Sequence, residues 1–463
     1  MAQDSGFLAA VDVAWQRAAS ESRAGVLDEA RRNWFDTLAA TAGGVAENCT
    51  QAALHASLAD GGTATLRPSE AALVLGTGAH ALDYDDVCML ATCHPSAPPV
   101  AALLALLPVL EQQRPQLRLG DLLAAYLLGT EATLRLGQWL DFRHYALGFH
   151  ATGTLGVVGA AAACAHALGL PRERAHAALA IAASSAGGLR ANFGTDTKPL
   201  HVGFAAAAAI RAVLLAQAGA DGSDDVWGPT GFFHAFNGGA PFEPLRWEPE
   251  LDWALASPGF ELKRFPSCYM THRLAAGLLE MRARRTAPER AGLARIEIEV
   301  PKNGLSALKH PQPTNGLQAK FSGHYCAATA WIDGELGLAS FADAAVLRSD
   351  VLAQMQRTTL SERTTGGERL ESAPVRVTLH GDGWTDAISV DWAPGSKADA
   401  MTRDQQRAKW LDCATHGGMD TADGQVLGLL DAPLQTPASD LLRPLRQALL
   451  SGICNPGGEG AHQ

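Results

Sequence analysis

The sequence predicts a mainly α-helical protein with one α+β segment inserted in its second half, and three compositional zones lead to this fold class. Residues 1–262 are rich in Ala and Leu and repeat apolar residues at helical spacing. Residues 263–397 contain runs in which apolar and polar residues alternate, as they do in half-buried strands. Residues 398–463 return to the helical pattern. A helical body with an α+β insert indicates two domains, and the cleft between two domains is a common ligand site.

The first zone predicts one helix after another. Apolar residues between positions 20 and 46 recur with the period of an amphipathic helix. Pro171 suits the first turn of a helix, and Gly169 suits the end of the helix before it. The many Ala and Gly residues predict closely packed helices, because small side chains let helix axes approach. The expected helices span residues 20–46, 68–82, 98–113, 119–136, 152–168, 171–186 and 200–219.

The second zone predicts an antiparallel sheet with helices. Apolar residues alternate with charged ones over 291–300, and the same pattern returns over 375–379. Residues 384–392 suit the hairpin partner of that second strand, because the Gly-Asp-Gly sequence at 381–383 is a turn signal. Two helices are expected within this zone, at residues 318–336 and 343–357.

Composition excludes several classes of partner and location. The 463 residues carry a formal net charge of −11 and show no basic run, so a nucleic-acid partner is not expected. The longest apolar stretch, residues 97–110, contains prolines and is too short to cross a bilayer, so no membrane partner is expected. The cysteine spacing matches no zinc site, and the first residues lack the pattern of a signal peptide, which favours a cytoplasmic protein with reduced thiols.

Common cofactor motifs are missing from the sequence. It contains no G-x-G-x-x-G after a strand, no P-loop, no H-E-x-x-H, no EF-hand loop and no G-x-S-x-G. The chemistry must therefore come from five short polar segments in an otherwise apolar chain. The first of these runs through residues 80–86 and continues to His94. Its carboxylates either cap the end of a helix or orient a catalytic histidine, and its Cys88 and Cys93 match no recognised metal spacing.

The second and third segments each combine a basic side chain with a helix start. In residues 148–153, His150 precedes an Ala/Gly-rich helix, whose N-terminus would favour an anion, although the histidine could simply cap a turn. In residues 194–203, Lys198 is the first lysine of the chain and His201 follows three residues later. Such a lysine is either a surface amine on an apolar stem or a point charge directed at a carboxylate.

The fourth and fifth segments lie in the second zone. Lys263 begins the fourth segment at the predicted domain junction, and His272 follows it; the charges there could serve solubility alone. The fifth segment, residues 318–326, places Tyr325 at the start of a helix, where a tyrosine could also be a packing residue.

In chain order the segments are HALDYDD…HPS, GFHATGTLG, GTDTKPLHVG, KRFPSCYMTH and QAKFSGHYCAATA, and together they resemble the motifs of the MmgE/PrpD family over essentially the whole chain. The resemblance implies a large all-helical domain built from both chain ends, residues 1–262 and 398–463, and a smaller α+β lid domain, residues 263–397. It also implies a homodimer, an active site between the domains, and no metal or organic cofactor.

The family includes 2-methylcitrate dehydratase, cis-aconitate decarboxylase and iminodisuccinate epimerase. The resemblance therefore implies a lyase that dehydrates or decarboxylates a small di- or tricarboxylate, with an isomerase as the alternative and a non-catalytic member as a less favoured third. By position in the motifs, it implies catalytic roles for Asp83, His94, His150, Lys198, His272 and Tyr325. It implies substrate-binding roles for His201 and Lys263.

The chemistry agrees with these residue types. Each of the three reactions needs a base or acid at a carbon next to a carboxylate or imine, and cations that hold carboxylates. Histidine exchanges protons near neutral pH, and lysine or imidazolium groups stabilise charge that builds on the substrate. We therefore expect His150 or His94 to move protons and Asp83 to orient a histidine. Lys198 and His272 are expected to bind carboxylates, and Tyr325 to assist proton transfer under a closing lid.

Overall fold

A computed structural model describes residues 6–20, 24–61, 66–241, 252–364, 370, 373–419 and 425–454. The chain forms two compact units. Unit 1 is drawn from Met1–Ala191, Thr197–Phe260 and Arg403–Gln463, and unit 2 from Asn192–Asp196 and Glu261–Thr402. The predicted fold class, mainly α-helical with a small sheet, is confirmed.

Helices make up unit 1. Its first ten are α1 (Gly6–Ala19), α2 (Ala24–Gly44), α3 (Asn48–Gly61), α4 (Pro68–Ala81), α5 (Ala97–Gln113), α6 (Leu119–Ala146), α7 (Ala151–Leu168), α8 (Arg172–Ala183), α9 (Thr197–Gln217) and α10 (Phe232–Phe236). The predicted helices of the first zone are confirmed, apart from residues 21–23, which lie outside the described residues. Helix α6 continues ten residues beyond its predicted end, with a break at Asp141, where φ is 53°.

Helix α7 forms the centre of unit 1. Nearly all of its residues are buried, which explains why it is apolar on every face instead of amphipathic. Its Gly159 packs directly on Gly129 of α6: a Cβ atom added at Gly159 would lie 2.4 Å from the Gly129 carbonyl oxygen. The predicted close packing of Ala- and Gly-rich helices is thus confirmed at this crossing.

Unit 2 combines a sheet with short helices. The helices are α11 (His272–Ala283), α12 (Ala287–Ala291), α13 (Gly316–Ala319), α14 (Gly323–Asp333), α15 (Asp343–Val346) and α16 (Ser349–Met355). The strands are β1 (Leu293–Val300), β2 (Thr358–Glu362), β3 (Val375–Gly381) and β4 (Trp384–Val390). The strand order is β2-β1-β3-β4, and the core lies between the sheet and α11 and α14. Three further helices belong to unit 1: α17 (Arg403–His416), α18 (Gln425–Gly428) and α19 (Ala438–Cys454).

The sheet confirms the predicted hairpin and adds one strand. β3 and β4 pair antiparallel with Gly381 opposite Trp384, so residues 381–383 form the turn as predicted. β2, which the sequence analysis did not predict, pairs with β1 in parallel, so the sheet is mixed and the expected antiparallel sheet was wrong at this edge. The single helices predicted at 318–336 and 343–357 were wrong, because each is divided into two. The first piece of the former ends at Ala319, and Ser322 then caps α14, since its Oγ accepts the N–H of Tyr325 at 3.1 Å.

Candidate active site

Two glycines bring the first and third polar segments together in unit 1. Helices α4 and α9 cross where Gly76 meets Gly203: a Cβ atom added at Gly76 would lie 2.9 Å from the Gly203 Cα, and one added at Gly203 would lie 2.4 Å from the Leu73 carbonyl oxygen. His80 lies one turn beyond Gly76, and Lys198 lies five residues before Gly203. The backbone contact at the crossing therefore places the end of α4 against the first turn of α9.

The chain turns sharply at the end of α4. Leu82 is the C-cap of this helix, and Asp83 follows with φ at 52°, in the left-handed region that few residues other than glycine adopt. The N–H of Asp83 donates to the carbonyl of His80 at 3.2 Å and so closes the helix end. Asp is among the better tolerated residues in this conformation, and its carboxylate is thereby directed into unit 1.

Lys198 is buried and bound to that carboxylate. Its Nζ lies 2.7 Å from Asp83 Oδ1, and both side chains are only 4% exposed. The same Nζ lies 2.6 Å from His80 Nε2. Burial excludes the interpretation of Lys198 as a surface amine and leaves that of a fixed positive charge, held by a carboxylate and an imidazole.

Asp85 joins two histidines. Its carboxylate lies 2.8 Å from His80 Nδ1 and 3.2 Å from His94 Nδ1. Burial opposes ionisation, yet His80 and His94 together hold the pKa of Asp85 well below its ordinary value. An ionised carboxylate only accepts, so His80 Nδ1, which is hydrogen-bonded to it, carries a proton. His80 Nε2 is then the acceptor for the Lys198 ammonium, and His94 Nε2 faces Asp83 Oδ1 at 3.8 Å.

His150 and His201 complete the cluster. The two Nδ1 atoms lie 3.0 Å apart, so one ring donates to the other. The His150 ring also stacks on His80, with ring centroids 5.5 Å apart and an angle of 23° between the planes. His150 is the N-cap of α7, as predicted, and its N–H donates to the Gly188 carbonyl at 3.0 Å. At Gly188, where φ is 129°, a side chain would meet the His201 ring and the Cβ atom of His150.

Three of these imidazoles are neutral at neutral pH. Burial lowers the pKa of His80 to about 3, against the effect of Asp85 and with the help of the Lys198 charge. Burial and Lys198 also lower the pKa of His150 well below its ordinary value, and that of His201 to about 4. The expected imidazolium groups are therefore not found at these three positions, where the rings can accept a proton instead.

Asp86, the next residue in this loop, has a carboxyl group whose pKa is shifted in the opposite direction to that of Asp85. Asp86 is buried, and burial raises its pKa well above the ordinary value, with the charge of Asp85 adding to the effect. Its oxygens contact the N–H and the hydroxyl of Ser96, and the Ser96 hydroxyl lies 2.6 Å from the Tyr126 hydroxyl. The pKa values of these two adjacent carboxyl groups are thus shifted in opposite directions.

Four donor side chains lie close enough to suggest a metal site. One ligand atom each from His80, Asp83, Asp85 and His94 fall within 4.8 Å of one another. However, His80 donates through Nδ1 to Asp85 and accepts through Nε2 from Lys198, so neither nitrogen is available as a ligand. The ammonium of Lys198 already occupies the cation position beside Asp83 and would repel a second cation. This donor set fits a lysine better than a metal.

The remaining predicted residues belong to unit 2. His272 is the first residue of α11, is fully buried, and shares a hydrogen bond of 3.3 Å with the Ser267 carbonyl through Nε2. Lys263 is 1% exposed. Tyr325 lies in the hydrophobic core, where its hydroxyl donates to the Ser340 carbonyl, and burial raises its pKa to about 12. Their predicted roles stay predictions, and the surroundings of Tyr325 are those of a packing residue.

Unit 1 therefore brings together five of the eight predicted residues, Asp83, His94, His150, Lys198 and His201. The sequence analysis missed two members of the same cluster, His80 and Asp85. Both stand in the first polar segment, and His80 precedes Asp83 by three residues at the end of a helix. Their place in the same polar segment as Asp83 was a usable signal.

Comparisons with known proteins extend over most of the chain. Residues 12–245 match the MmgE/PrpD N-terminal domain, and residues 265–427 match the MmgE/PrpD C-terminal domain. Cis-aconitate decarboxylase from Mus musculus is 33% identical over 307 residues, which are 64% of this chain and 61% of that protein. The Homo sapiens cis-aconitate decarboxylase is 33% identical over 295 residues, 62% of this chain and 60% of that protein.

A more distant relative is matched over a greater length. Cis-aconitate decarboxylase from Aspergillus terreus is 25% identical over 415 residues, which are 84% of this chain and 83% of that protein. The chain spans about three fifths of the length of the mouse and human relatives.

Proposed function

Since the chain belongs to the MmgE/PrpD family, we propose that it is a cofactor-independent lyase that acts on a small di- or tricarboxylate. One observation carries the proposal: a buried lysine is held by a carboxylate among four histidines, three of which are neutral. A buried ammonium binds a substrate carboxylate strongly, and neutral imidazoles next to it can take or return protons. This combination is what elimination or decarboxylation next to a carboxylate requires.

We propose decarboxylation as the reaction to test first, because the relatives are cis-aconitate decarboxylases. In this step the C–C bond to one carboxylate breaks, CO₂ leaves, and the electron pair stays on the adjacent carbon. Lys198 stabilises the charge that spreads onto a remaining carboxylate. His150 or His94 then delivers a proton to carbon, which contributes roughly 10²–10⁴ in rate. Asp83 and Asp85 act through their partners, because they fix Lys198, His80 and His94.

Dehydration uses the same groups in a different order. A neutral histidine removes a proton from carbon, and a second group protonates the departing hydroxyl, so that water leaves and a double bond forms. Epimerisation, the alternative implied by the resemblance, shares only the first step and returns the proton on the other face. The three outcomes are distinguished by their products.

The experiment incubates the full-length protein with cis-aconitate, 2-methylcitrate and iminodisuccinate in D₂O and follows each by NMR. Decarboxylation gives CO₂ and a product with deuterium on carbon. Dehydration gives a new alkene without CO₂, and epimerisation gives deuterium in an unchanged skeleton. If the folded protein changes none of these acids, the proposed substrate class is wrong.

A matched pair of lysine variants tests the role of the buried charge. Lys198→Met keeps the length of the side chain and removes its charge, and we expect turnover to be lost. Lys302→Met removes a charge from an exposed position and serves as the control, with unchanged turnover expected. Normal turnover by a folded Lys198→Met protein would contradict a carboxylate-binding lysine.

We also propose a homodimer in the cytoplasm. The cytoplasmic location is proposed because the described cysteines are free thiols, and cell fractionation checks it. For the dimer, helix α9 offers a supporting surface: Phe204 is 53% exposed and Leu215 is 51% exposed. They lie eleven residues apart on one side of the helix, with the partly exposed Ala208 and the exposed Arg211 between them. Large apolar side chains exposed on one helix face, next to a charged residue, are compatible with an interface between subunits.

A further inference from the structure

A second buried lysine contacts the candidate site from the C-terminal part of unit 1. Lys409 lies on α17, with its side chain 2% exposed, and its Nζ is 2.8 Å from Asp36 Oδ1 on α2. The same Nζ donates to the carbonyl of Tyr84 at 2.8 Å. It also lies 4.0 Å from the centroid of the Tyr84 ring, a cation–π distance. One ammonium thus fixes both the backbone and the ring of Tyr84.

The position of Tyr84 gives this contact its importance. Tyr84 stands between Asp83, which binds Lys198, and Asp85, which binds His80 and His94. Its carbonyl belongs to the peptide group that leads into Asp85. Asp83 has φ at 52°, and a residue in this uncommon conformation persists only where its surroundings hold it. The two lysines hold this short segment at two points: Lys198 at the Asp83 carboxylate, and Lys409 at the following carbonyl.

We propose that Lys409 is a positioning residue for the candidate active site, because its hydrogen bond to the Tyr84 carbonyl fixes the directions of the Asp83 and Asp85 carboxylates. The kinetic test of this inference rests on the proposed function, whereas its structural test, the conformation of Asp83, does not. The competing explanation is that Lys409 only neutralises Asp36 inside unit 1. Burial raises the pKa of Asp36, and Lys409 offsets that effect in part, so the ion pair has a structural role in any case.

Three variants separate the two explanations. Lys409→Met removes the ion pair and the bond to Tyr84, and leaves Asp36 buried without its lysine. Asp36→Asn removes the charge of the partner but keeps the lysine that donates to Tyr84. The double variant Asp36→Asn/Lys409→Met restores charge balance with groups of similar volume, while the Tyr84 carbonyl still loses this donor.

We expect Lys409→Met to lower both the melting temperature and kcat, with a loss of about 100-fold in kcat, as a small misplacement of catalytic groups produces. Asp36→Asn should keep kcat close to the wild-type value. The double variant should regain melting temperature relative to Lys409→Met and keep the loss in kcat. KM should change little, because the charge of Lys198 remains in place. Recovery of kcat in the double variant would overturn the proposal, as would a normal kcat in Lys409→Met.

A crystal structure of the double variant gives a readout that needs no substrate. We expect the Tyr84 peptide to rotate, Asp83 to leave its left-handed conformation, and the contact between Asp83 and Lys198 to lengthen. An unchanged Asp83 and an unchanged contact would refute the positioning role, even if the protein acted on a different acid. Conversely, a displaced Asp83 in a protein that turns over none of the tested acids would support the positioning role and contradict only the proposed function.

Discussion

Asp85→Asn is the substitution that tests the geometry of the site most directly. Asp85 accepts the Nδ1 proton of His80, and its carboxylate also lies 3.2 Å from His94 Nδ1, whereas an amide has one oxygen and one NH₂ group. The amide of the variant can therefore accept from only one of the two rings, and its NH₂ group must face the other. If that ring is His80, its proton moves to Nε2, which lies 2.6 Å from the Lys198 ammonium. Two donors then oppose each other, and Lys198 must move.

The size of the effect follows from what is lost. The change keeps the shape of the side chain but imposes the wrong tautomer on one histidine and removes a buried negative charge. In a well-characterised catalytic Asp–His pair the same substitution costs roughly 10⁴ in kcat, and we expect about 10³–10⁴ here. The corresponding barrier increase is about 4–5.5 kcal/mol. Protein stability should fall much less, since the amide keeps one of the two hydrogen bonds.

The neighbouring residue provides a matched control. Asp86 is buried like Asp85, but burial raises its pKa well above the ordinary value and so favours its uncharged form. In Asp86→Asn the amide oxygen can still accept the Ser96 N–H. The Ser96 hydroxyl, which donates to the Asp86 carboxyl group, can instead accept from the new NH₂ group and donate to the Tyr126 hydroxyl. The same chemical change one residue away should therefore leave kcat close to the wild-type value.

Both variants are assayed with the acid that the wild-type protein converts, alongside thermal unfolding. NMR of ¹⁵N-labelled histidines adds a direct readout, because the two tautomers have different ring nitrogen shifts. The reasoning fails if Asp85→Asn retains more than about a tenth of the wild-type kcat. It also fails if Asp86→Asn is equally inactive while folded, since the two carboxyl groups would then not differ in charge.

Three further predictions concern stability and assembly. Burial lowers the pKa of His144 to about 4, so between pH 7 and pH 5 the unfolded chain binds a proton at this residue that the native state does not bind. In denaturant titrations over this pH change, the wild-type protein should therefore lose about 2 kcal/mol more of its free energy of unfolding than His144→Gln does, and an equal loss in both proteins would refute this. Gly203→Ala should lower the free energy of unfolding by about 2–3 kcal/mol, because the added Cβ atom would clash with α4. Gly428→Ala, whose Cβ atom meets open space, should lower it far less, and equal melting temperatures of the two variants would contradict the close contact of α4 and α9. Phe204→Glu should shift a dimer toward monomer in light scattering while the control Leu347→Glu, at another exposed apolar position, does not; a dimer in both variants would move the interface elsewhere.

The sequence predicted those secondary-structure elements whose alternation of apolar and polar residues and whose turn lie close together along the chain. The hairpin of β3 and β4 was predictable because alternation and a Gly-Asp-Gly turn lie within sixteen residues. Strand β2 was not, since it is five residues long and pairs in parallel with β1 across more than fifty intervening residues. The break at Ser322 was also missed, because a serine inside a helical pattern becomes a cap only when the preceding residues turn away.

For the candidate active site, too, the sequence identified the polar segments but not how they come together. The polar segments were identifiable, because polar residues are conspicuous in a chain this apolar. Their convergence depends on the crossing of α4 and α9 at Gly76 and Gly203, which no local pattern specifies. Lys409 carried no signal at all: a lysine in the mixed polar sequence of α17 is normally exposed, and only the fold places it beneath Tyr84.

The charges in the cluster indicate how substrate binding would raise the pKa of His150 and so let this residue act as the acid. Burial lowers the pKa of His150, and the charge of Lys198 adds to the effect. A substrate carboxylate bound to Lys198 would offset that charge and place a negative group near the ring, and both changes raise the pKa of His150. The imidazole would then be neutral before binding and able to take up a proton after it, which is the state that protonation of a carbanion requires. On this argument Lys198 is the group that meets the substrate carboxylate, His150 stays neutral until substrate arrives, and proton uptake accompanies binding.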